Sequence, residues 1–209
     1  MLDRMEISFK TNEKILYNNL KKILRKSNIG INSDEIDKMP WCSVYHFHDW
    51  DHGYDAFYGY NGKRREFYKD LTDTLKFLNN YFLNNNISYI IVAPFFKYYQ
   101  FEYIPKNDDV NFDIYDEIKI WLKKNKIRSG ELSGVLIDVK ENINELAMLM
   151  EGAFRGVSCL NFLLPQSNVL IVPDHHFSLT FYTKQIEGEK KCIKSILEKH
   201  TFLRYFEET

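Results

Sequence analysis

Asn161 to Tyr182 reads NFLLPQSNVLIVPDHHFSLTFY. With its flanking residues the stretch predicts a closing run of strands at Cys159–Leu164, Val169–Val172 and Phe177–Thr183, each a short apolar or aromatic run bounded by turn formers. Pro173-Asp174 marks a turn, because proline presets φ and aspartate bonds its own backbone. Strands following one another with no helix between them break the regular βαβα order of a doubly wound sheet. The expected fold class is therefore α+β: a mixed, mainly antiparallel sheet with helices packed on it, in a single domain spanning residues 1–209.

Working upstream, Ile193, Ile196 and Leu197 share one face of a last helix, and Gly134–Val139 is a strand. Asn142 and Glu145 have capping-box spacing ahead of a helix through Leu146, Leu149 and Met150. Ile114, Ile118, Trp121 and Leu122 predict an amphipathic helix ending near Asn125. Ile87–Ala93 reads as a buried strand with Tyr98–Ile104 as its antiparallel neighbour, and Pro105–Asp113 as a polar loop. Phe67, Leu71, Leu75, Leu78 and Phe82 form a helical stripe reaching Leu83. Asn61-Gly62 ahead of it is either a hairpin turn joining 55–60 to 63–68 or the loop into that helix, and the stripe favours the loop. In a strand from Trp41, Val44, His46 and His48 point one way and Tyr45 and Phe47 the other. Nearer the start, Glu6–Lys10 reads as a strand. Thr11 or Asn12 is placed to cap a helix with Glu13 in its first turn and Ile15, Leu16, Leu20, Ile23 and Leu24 on one face, ended by Asn28 and Gly30. A short helix begins at Asn32 or Ser33 and stops before Pro40.

The chain has 209 residues, enough for one well-buried core. Aromatics make up 16%, with 14 Tyr and 16 Phe, which excludes a disordered chain. The net charge of −1, from 28 basic and 29 acidic residues, lacks the basic footprint of a nucleic-acid binder. Charge is segregated: Lys10, Lys14, Lys21, Lys22, Arg25 and Lys26 make the beginning basic, while Asp108, Asp109, Asp113, Asp116 and Glu117 make a later stretch acidic. Cys42, Cys159 and Cys192 form no CxxC pair and no even framework, which suits a reducing compartment. MLDRMEISFK lacks the apolar core of a signal peptide, and the apolar run at 87–96 is too short to cross a bilayer. The expected location is the cytoplasm, away from membranes.

The densest chemistry lies in His46-Phe47-His48-Asp49-Trp50-Asp51-His52. Imidazole and carboxylate together suit zinc or another divalent transition metal. His46, His48, Asp51 and His52 are the candidate ligands, with Asp49 as a partner orienting an imidazole. The metal-dependent hydrolase this implies would activate a bound hydroxide. The cluster resembles the HxHxDH motif of the metallo-β-lactamase family, with His46 and His48 matching the leading pair and Asp51 and His52 the closing one. One extra residue separates the pairs and no later ligand series follows, so only the local chemistry carries over. Pro173-Asp174-His175-His176 is placed to complete such a site or to stand as a polar turn. His200 at a helix end suits the dipole as a cation. Cys42, four residues before His46, is a nucleophile only if the fold pairs the two. Cys159 and Cys192 read as core, and Glu102 as an edge-strand residue. Lys97, Tyr98, Tyr99, Phe101 and Tyr103 suggest base stacking without the basic and glycine pattern of RNA-binding sheets.

At the level of the whole chain, the profile is similar to the immunity proteins of bacterial polymorphic toxin systems, and Asn161–Tyr182 looks like their paired closing strands. The resemblance implies a non-enzymatic binding protein, with no cofactor, that occludes a cognate, nuclease-type toxin domain. A nuclease is basic around its site, so acidic residues are the complement. The expected partner-binding residues are Asp49, Asp51, Asp55, Asp108, Asp109, Asp113, Asp116 and Glu117.

Overall fold

Ile90-Ile91-Val92-Ala93 is apolar on both sides of a strand, so each face of the sheet it enters needs its own cover. The computed structural model, which describes residues 12–46, 64–94, 113–127, 133–155, 158, 160–174 and 176–207, supplies both. The strands are β1 (Glu13–Ile15), β2 (Trp41–His46), β3 (Tyr89–Pro94), β4 (Gly134–Asp138), β5 (Leu160–Leu164), β6 (Val169–Asp174), β7 (Ser178–Tyr182) and β8 (Leu203–Glu207). They form one eight-stranded sheet in the order β1-β4-β3-β5-β6-β7-β2-β8. Every neighbouring pair is antiparallel. The helices are α1 (Tyr17–Lys26), α2 (Ser33–Ile36), α3 (Arg64–Asn84), α4 (Asp113–Lys124), α5 (Ile143–Phe154) and α6 (Ile186–Leu197). This is the expected α+β fold.

Alternate residues sort the core into two layers. Val92, Val135, Ile137, Phe162, Leu164, Ile171 and Phe181 face Phe77 and Tyr81 of α3, Leu149 of α5 and Ile193 of α6. Their neighbours Ile91, Leu136, Leu163, Leu170 and Tyr182 face Leu20 and Leu24 of α1 and Ile36 of α2. Beyond these strands the second face changes character. Ser43 and Tyr45 of β2, Ser178 and Thr180 of β7 and Phe206 of β8 lie on it, and no apolar helix face meets them among the described residues.

Several expectations are corrected. Glu13 opens β1 and not a helix; α1 starts at Tyr17, and its N-cap Leu16 makes no side-chain cap. Ile15 is thus a strand residue, and Leu16 is 59% exposed. β8 has no counterpart in the expected elements. Residues 64–68 of the alternative hairpin's second arm lie in α3, so the loop reading holds there. Both sides of β3 are occupied, by β4 and β5; residues 98–104, expected beside it, lie outside the described ones, as does the strand expected at 6–10. The short helix after Asn32 forms as expected, and the Asn32 side chain accepts from Glu35 N at 2.9 Å. Gly30 ahead of it is a close approach: a Cβ there would stand 2.7 Å from Ile36 N.

Three helices end in the same way. Asn28, Asn86 and Lys126 have φ of 56°, 52° and 57°, the left-handed conformation. Each is followed by an isoleucine whose N–H reaches back: Ile29 to Leu24 O at 2.9 Å, Ile87 to Phe82 O at 2.8 Å and Ile127 to Leu122 O at 2.9 Å. The preceding N–H bonds one turn back as well, completing a Schellman closure with its apolar clasp. Asparagine tolerates this conformation, whereas lysine has no local compensation. Lys126→Gly is expected to stabilise the protein by roughly 0.5–1 kcal/mol, read as a higher urea midpoint at unchanged slope.

The capping box expected at Asn142 does not form, since Asn142 makes no side-chain cap and its amide donates to Asp138 O. Glu145 turns outward instead and accepts from Trp121 Nε1 at 2.9 Å, Lys124 Nζ at 2.9 Å and Asn12 Nδ2 at 3.2 Å. One carboxylate thereby joins α5, α4 and the approach to β1. Burial alone would raise its pKa, but these donors hold it below the usual carboxylate range. A depressed carboxylate contributes stability that is present above its unfolded pKa and lost as pH falls through the folded one. Glu145→Gln is expected to lower the urea midpoint at pH 7, and the gap should close as pH drops below about 4.

Candidate functional site

His46 ends β2 on the same face as Cys42 and Val44, as its alternation requires, and this carries it into the core and away from solvent. Its Nε2 lies 3.1 Å from Asp70 Oδ1 of α3, and both side chains are 1% exposed. The imidazole stacks on Phe202, with centroids 6.4 Å apart and planes at 4°, and meets the edge of Phe177. Phe177 in turn stacks on Phe154 at 4.5 Å and touches Phe67 at 5.0 Å. An imidazole and a carboxylate thus join β2 to α3 inside an aromatic cage. Nearby, Glu151 accepts from Tyr68 Oη at 3.0 Å and pairs with the buried Arg155 at 2.9 Å.

The turn carrying Asp174 and His176 closes against this point: His46 N–H donates to Phe177 O at 3.2 Å. Pro173 and Asp174, expected to form the turn, end β6 opposite Leu179 and Ser178, and chain placement brings the root of the His/Asp cluster beside the connection that follows them. Their side chains engage different carboxylates, His46 that of Asp70 and His176 that of Asp174 at 3.8 Å. His48, Asp49, Asp51, His52, Asp55, His175, Asp108 and Asp109 lie outside the described residues, as do Glu102, Cys159 and the aromatic stretch at 97–103. Among the described residues, no three His, Cys, Asp or Glu side chains gather as a metal site.

Cys42 shares the face of His46 but stands four residues away, about 13 Å along an extended strand, so the two are not paired. Burial pushes its thiol up to about 12, with Tyr205 bonded to it and Glu189 near. A thiol held that high stays protonated at neutral pH, the reverse of an activated nucleophile. Cys192 is half-buried and accepts from Asn85 Nδ2 at 3.3 Å. His200, expected as a cation at a helix end, is corrected: burial lowers its pKa, and its ring bonds Asn80 at 3.1 Å and meets Phe77 edge-on.

The uncovered part of the second sheet face forms a groove of about 370 Å³. Trp41, Ser43 and Tyr45 of β2, Thr180 of β7, Phe206 of β8 and Asp37 beyond α2 line it. Trp41 and Phe206 meet with centroids 5.8 Å apart and planes tilted by 34°. Ser43 Oγ and Thr180 Oγ1 bond each other across the ladder at 2.8 Å. Phe206 is 51% exposed and Tyr45 37%. The surface thus offers rigid aromatic area among hydroxyls, held by a fully paired ladder from Trp41 to Tyr182 and from Cys42 to Glu207. Period-two alternation places Tyr45 on the opposite face from Val44 and His46 in the sequence, but only the structure shows that no helix among the described residues lies over the groove.

Asp116 and Glu117, two of the expected acidic residues, are exposed on α4. That helix packs through Ile114 and Ile118 beside Met148 of α5, on the side of the sheet away from the groove. The backbone of Asp113 begins the same helix. No helix among the described residues is long and apolar enough to cross a membrane. Comparison with known proteins finds no matching family model, no similar curated protein and no similar solved structure.

The buried pair yields a stability test. Removing one member takes a polar contact from the other while it stays buried, at a cost of about 1–3 kcal/mol, whereas removing both loses that contact only once. Asp70→Leu and His46→Leu are each expected to destabilise strongly and the double variant by less than their sum, in a double-mutant cycle of urea midpoints.

Proposed function

We propose that this chain is a non-enzymatic binding protein, an immunity protein of the cytoplasm that seats a cognate toxin domain on the open face of β7, β2 and β8. The observation that carries this reading is the composition of that face: exposed Phe206 and Tyr45 and half-buried Trp41 around a paired Ser43 and Thr180. Tryptophan and tyrosine are the residues that most often anchor interfaces, because each buries a large rigid area and offers a polar tip at small entropic cost. Hydroxyls that already bond one another can be covered by a partner with little desolvation penalty.

The acidic residues take a different part in this reading. Asp116 and Glu117 lie across the sheet from the groove, so they do not share one flat contact with it. Their charge acts at longer range, orienting a basic nuclease-type domain during approach and raising the association rate more than the affinity. The same role is proposed for the acidic stretch from Asp108 to Asp113, and for Asp49, Asp51 and Asp55.

The test is co-expression with candidate nuclease-type toxin domains. The wild-type chain should restore growth and bind the purified domain. Phe206→Asp and Tyr45→Asp should weaken binding by more than about 30-fold, a hot-spot-sized loss, with the melting temperature unchanged. Wild-type affinity in both variants would remove the groove from the interface, and failure of the wild-type chain to protect would remove the immunity reading.

A further inference from the structure

On the same sheet face, at the opposite edge from the groove, α1 stands over a second cavity of about 510 Å³, within the range of small-ligand sites. Ile15 of β1, Ile23 of α1, Ile91 of β3 and Leu136 of β4 give it an aliphatic part, and Ser27, Tyr89, Pro165 and Asn168 complete the wall. Ile91 and Leu136 belong to the core beneath α1, so the floor is a rigid part of the sheet. Glu13 and Lys14 of β1 also line the space and carry opposite charges, and the Lys14 ammonium reaches Lys126 O at 2.7 Å. The unbalanced charge at the mouth therefore comes from α1.

That helix, YNNLKKILRK, holds four cations and no acid. Asn19, Ile23 and Lys26 line the cavity at successive helical turns, and Lys22 lies one turn before Lys26 on the same exposed side. Neither Lys22 nor Lys26 makes an ion pair with a described residue. Like charges four apart on a helix repel one another. The dipole at the helix C-terminus favours cations there but is already met by the closure at Asn28. A branched aliphatic floor with cations on one lip fits a molecule whose two ends differ in the same way.

We propose that this cavity binds a single-chain amphipathic carboxylate, with the aliphatic tail on Ile15, Ile23, Ile91 and Leu136, the carboxylate on Lys26 at the mouth, and Lys22, outside the lining one turn earlier, adding positive charge beside it. The site is separate from the groove proposed for the protein partner and stands or falls without it. Tail burial supplies most of the affinity and the lysines supply selectivity of sign, since charge-assisted bonds to a carboxylate have no counterpart for a cationic head.

The experiment is isothermal titration of the full chain with decanoate, alongside decyltrimethylammonium, which has the same tail and the opposite charge. Decanoate should bind saturably at one site, more weakly as salt rises, and the cationic analogue should bind at least about tenfold less tightly. Lys22→Glu/Lys26→Glu should lose about tenfold or more for decanoate and Lys26→Arg should keep it. Ile23→Asp should abolish binding with all the lysines in place, and circular dichroism melting checks that each variant is folded. Equal binding of the two amphiphiles, or an unaltered isotherm for folded Ile23→Asp, would overturn the proposal. So would sedimentation with phosphatidylglycerol vesicles in the absence of a decanoate isotherm, because the basic helix would then be meeting a membrane surface and not filling its cavity.

Discussion

The central strands are apolar on both faces, and the rest of the molecule follows from the need to cover them. β3, β4, β5 and β6 place Ile90, Val92, Val135, Phe162 and Ile171 on one side and Ile91, Leu136, Leu163 and Leu170 on the other. Each side chain left in water would cost about 1.5–3 kcal/mol, so neither face can stay bare. α3, α5 and α6 close one side, and α1 with α2 closes the other. The strands outside this centre carry serine, threonine, tyrosine and arginine on the second face, and among the described residues the cover stops there. The open groove is thus the part of the sheet whose side chains do not demand a helix.

Polar groups inside the covered layers work as joints. His46 and Asp70 tie β2 to α3 beside the rings of Phe177 and Phe202, and Glu145 ties α5 to α4 and to the approach to β1. Both arrangements use charged or polar side chains between elements distant in sequence, which makes them specific to one packing; an apolar contact is more forgiving of small slips. β2 is the strand most affected. It is held from one side by His46 and Cys42 in the core, while its alternate residues Trp41, Ser43 and Tyr45 form the floor of the groove. The rigidity of that floor comes from the hidden face of the same strand, and a preformed surface loses little entropy when a partner covers it.

The functional reading rests on this division of labour. The groove and the cavity beneath α1 share one sheet face but are separated by the α1–α2 layer, and they differ in chemistry: aromatic and hydroxylic in the first, aliphatic with a cationic lip in the second. The acidic residues of α4 belong to neither. A binding protein built this way seats its partner by shape and aromatic burial and draws it in by charge placed elsewhere, so affinity and association rate depend on different residues.

The amphipathic stripe from Phe67 to Phe82, the isoleucine and leucine positions of α4, and the closing strands β5, β6 and β7 were all legible from the residues, because 3.6- and 2-residue periodicity is a local property that burial imposes whatever the partner element. Class followed from order, since strands in succession cannot form a doubly wound sheet. β1 and β8 were not legible: three and five residues at the edges of a sheet carry too little alternation to stand out, and what makes them strands is the ladder offered by β4 and β2. The role of Glu145 was misread for a related reason, as its spacing from Asn142 suits a capping box while Trp121, Lys124 and Asn12 offer better donors from elsewhere in the chain. His46 could be assigned to a face from its neighbours, but its engagement with Asp70 joins positions on separate elements that no local pattern connects. The sequence by itself determined which residues of each segment seek burial. Only the tertiary structure decided which polar residues meet inside and which stretch of sheet is left open, because both depend on strand order and helix placement, which emerge from packing distant segments together.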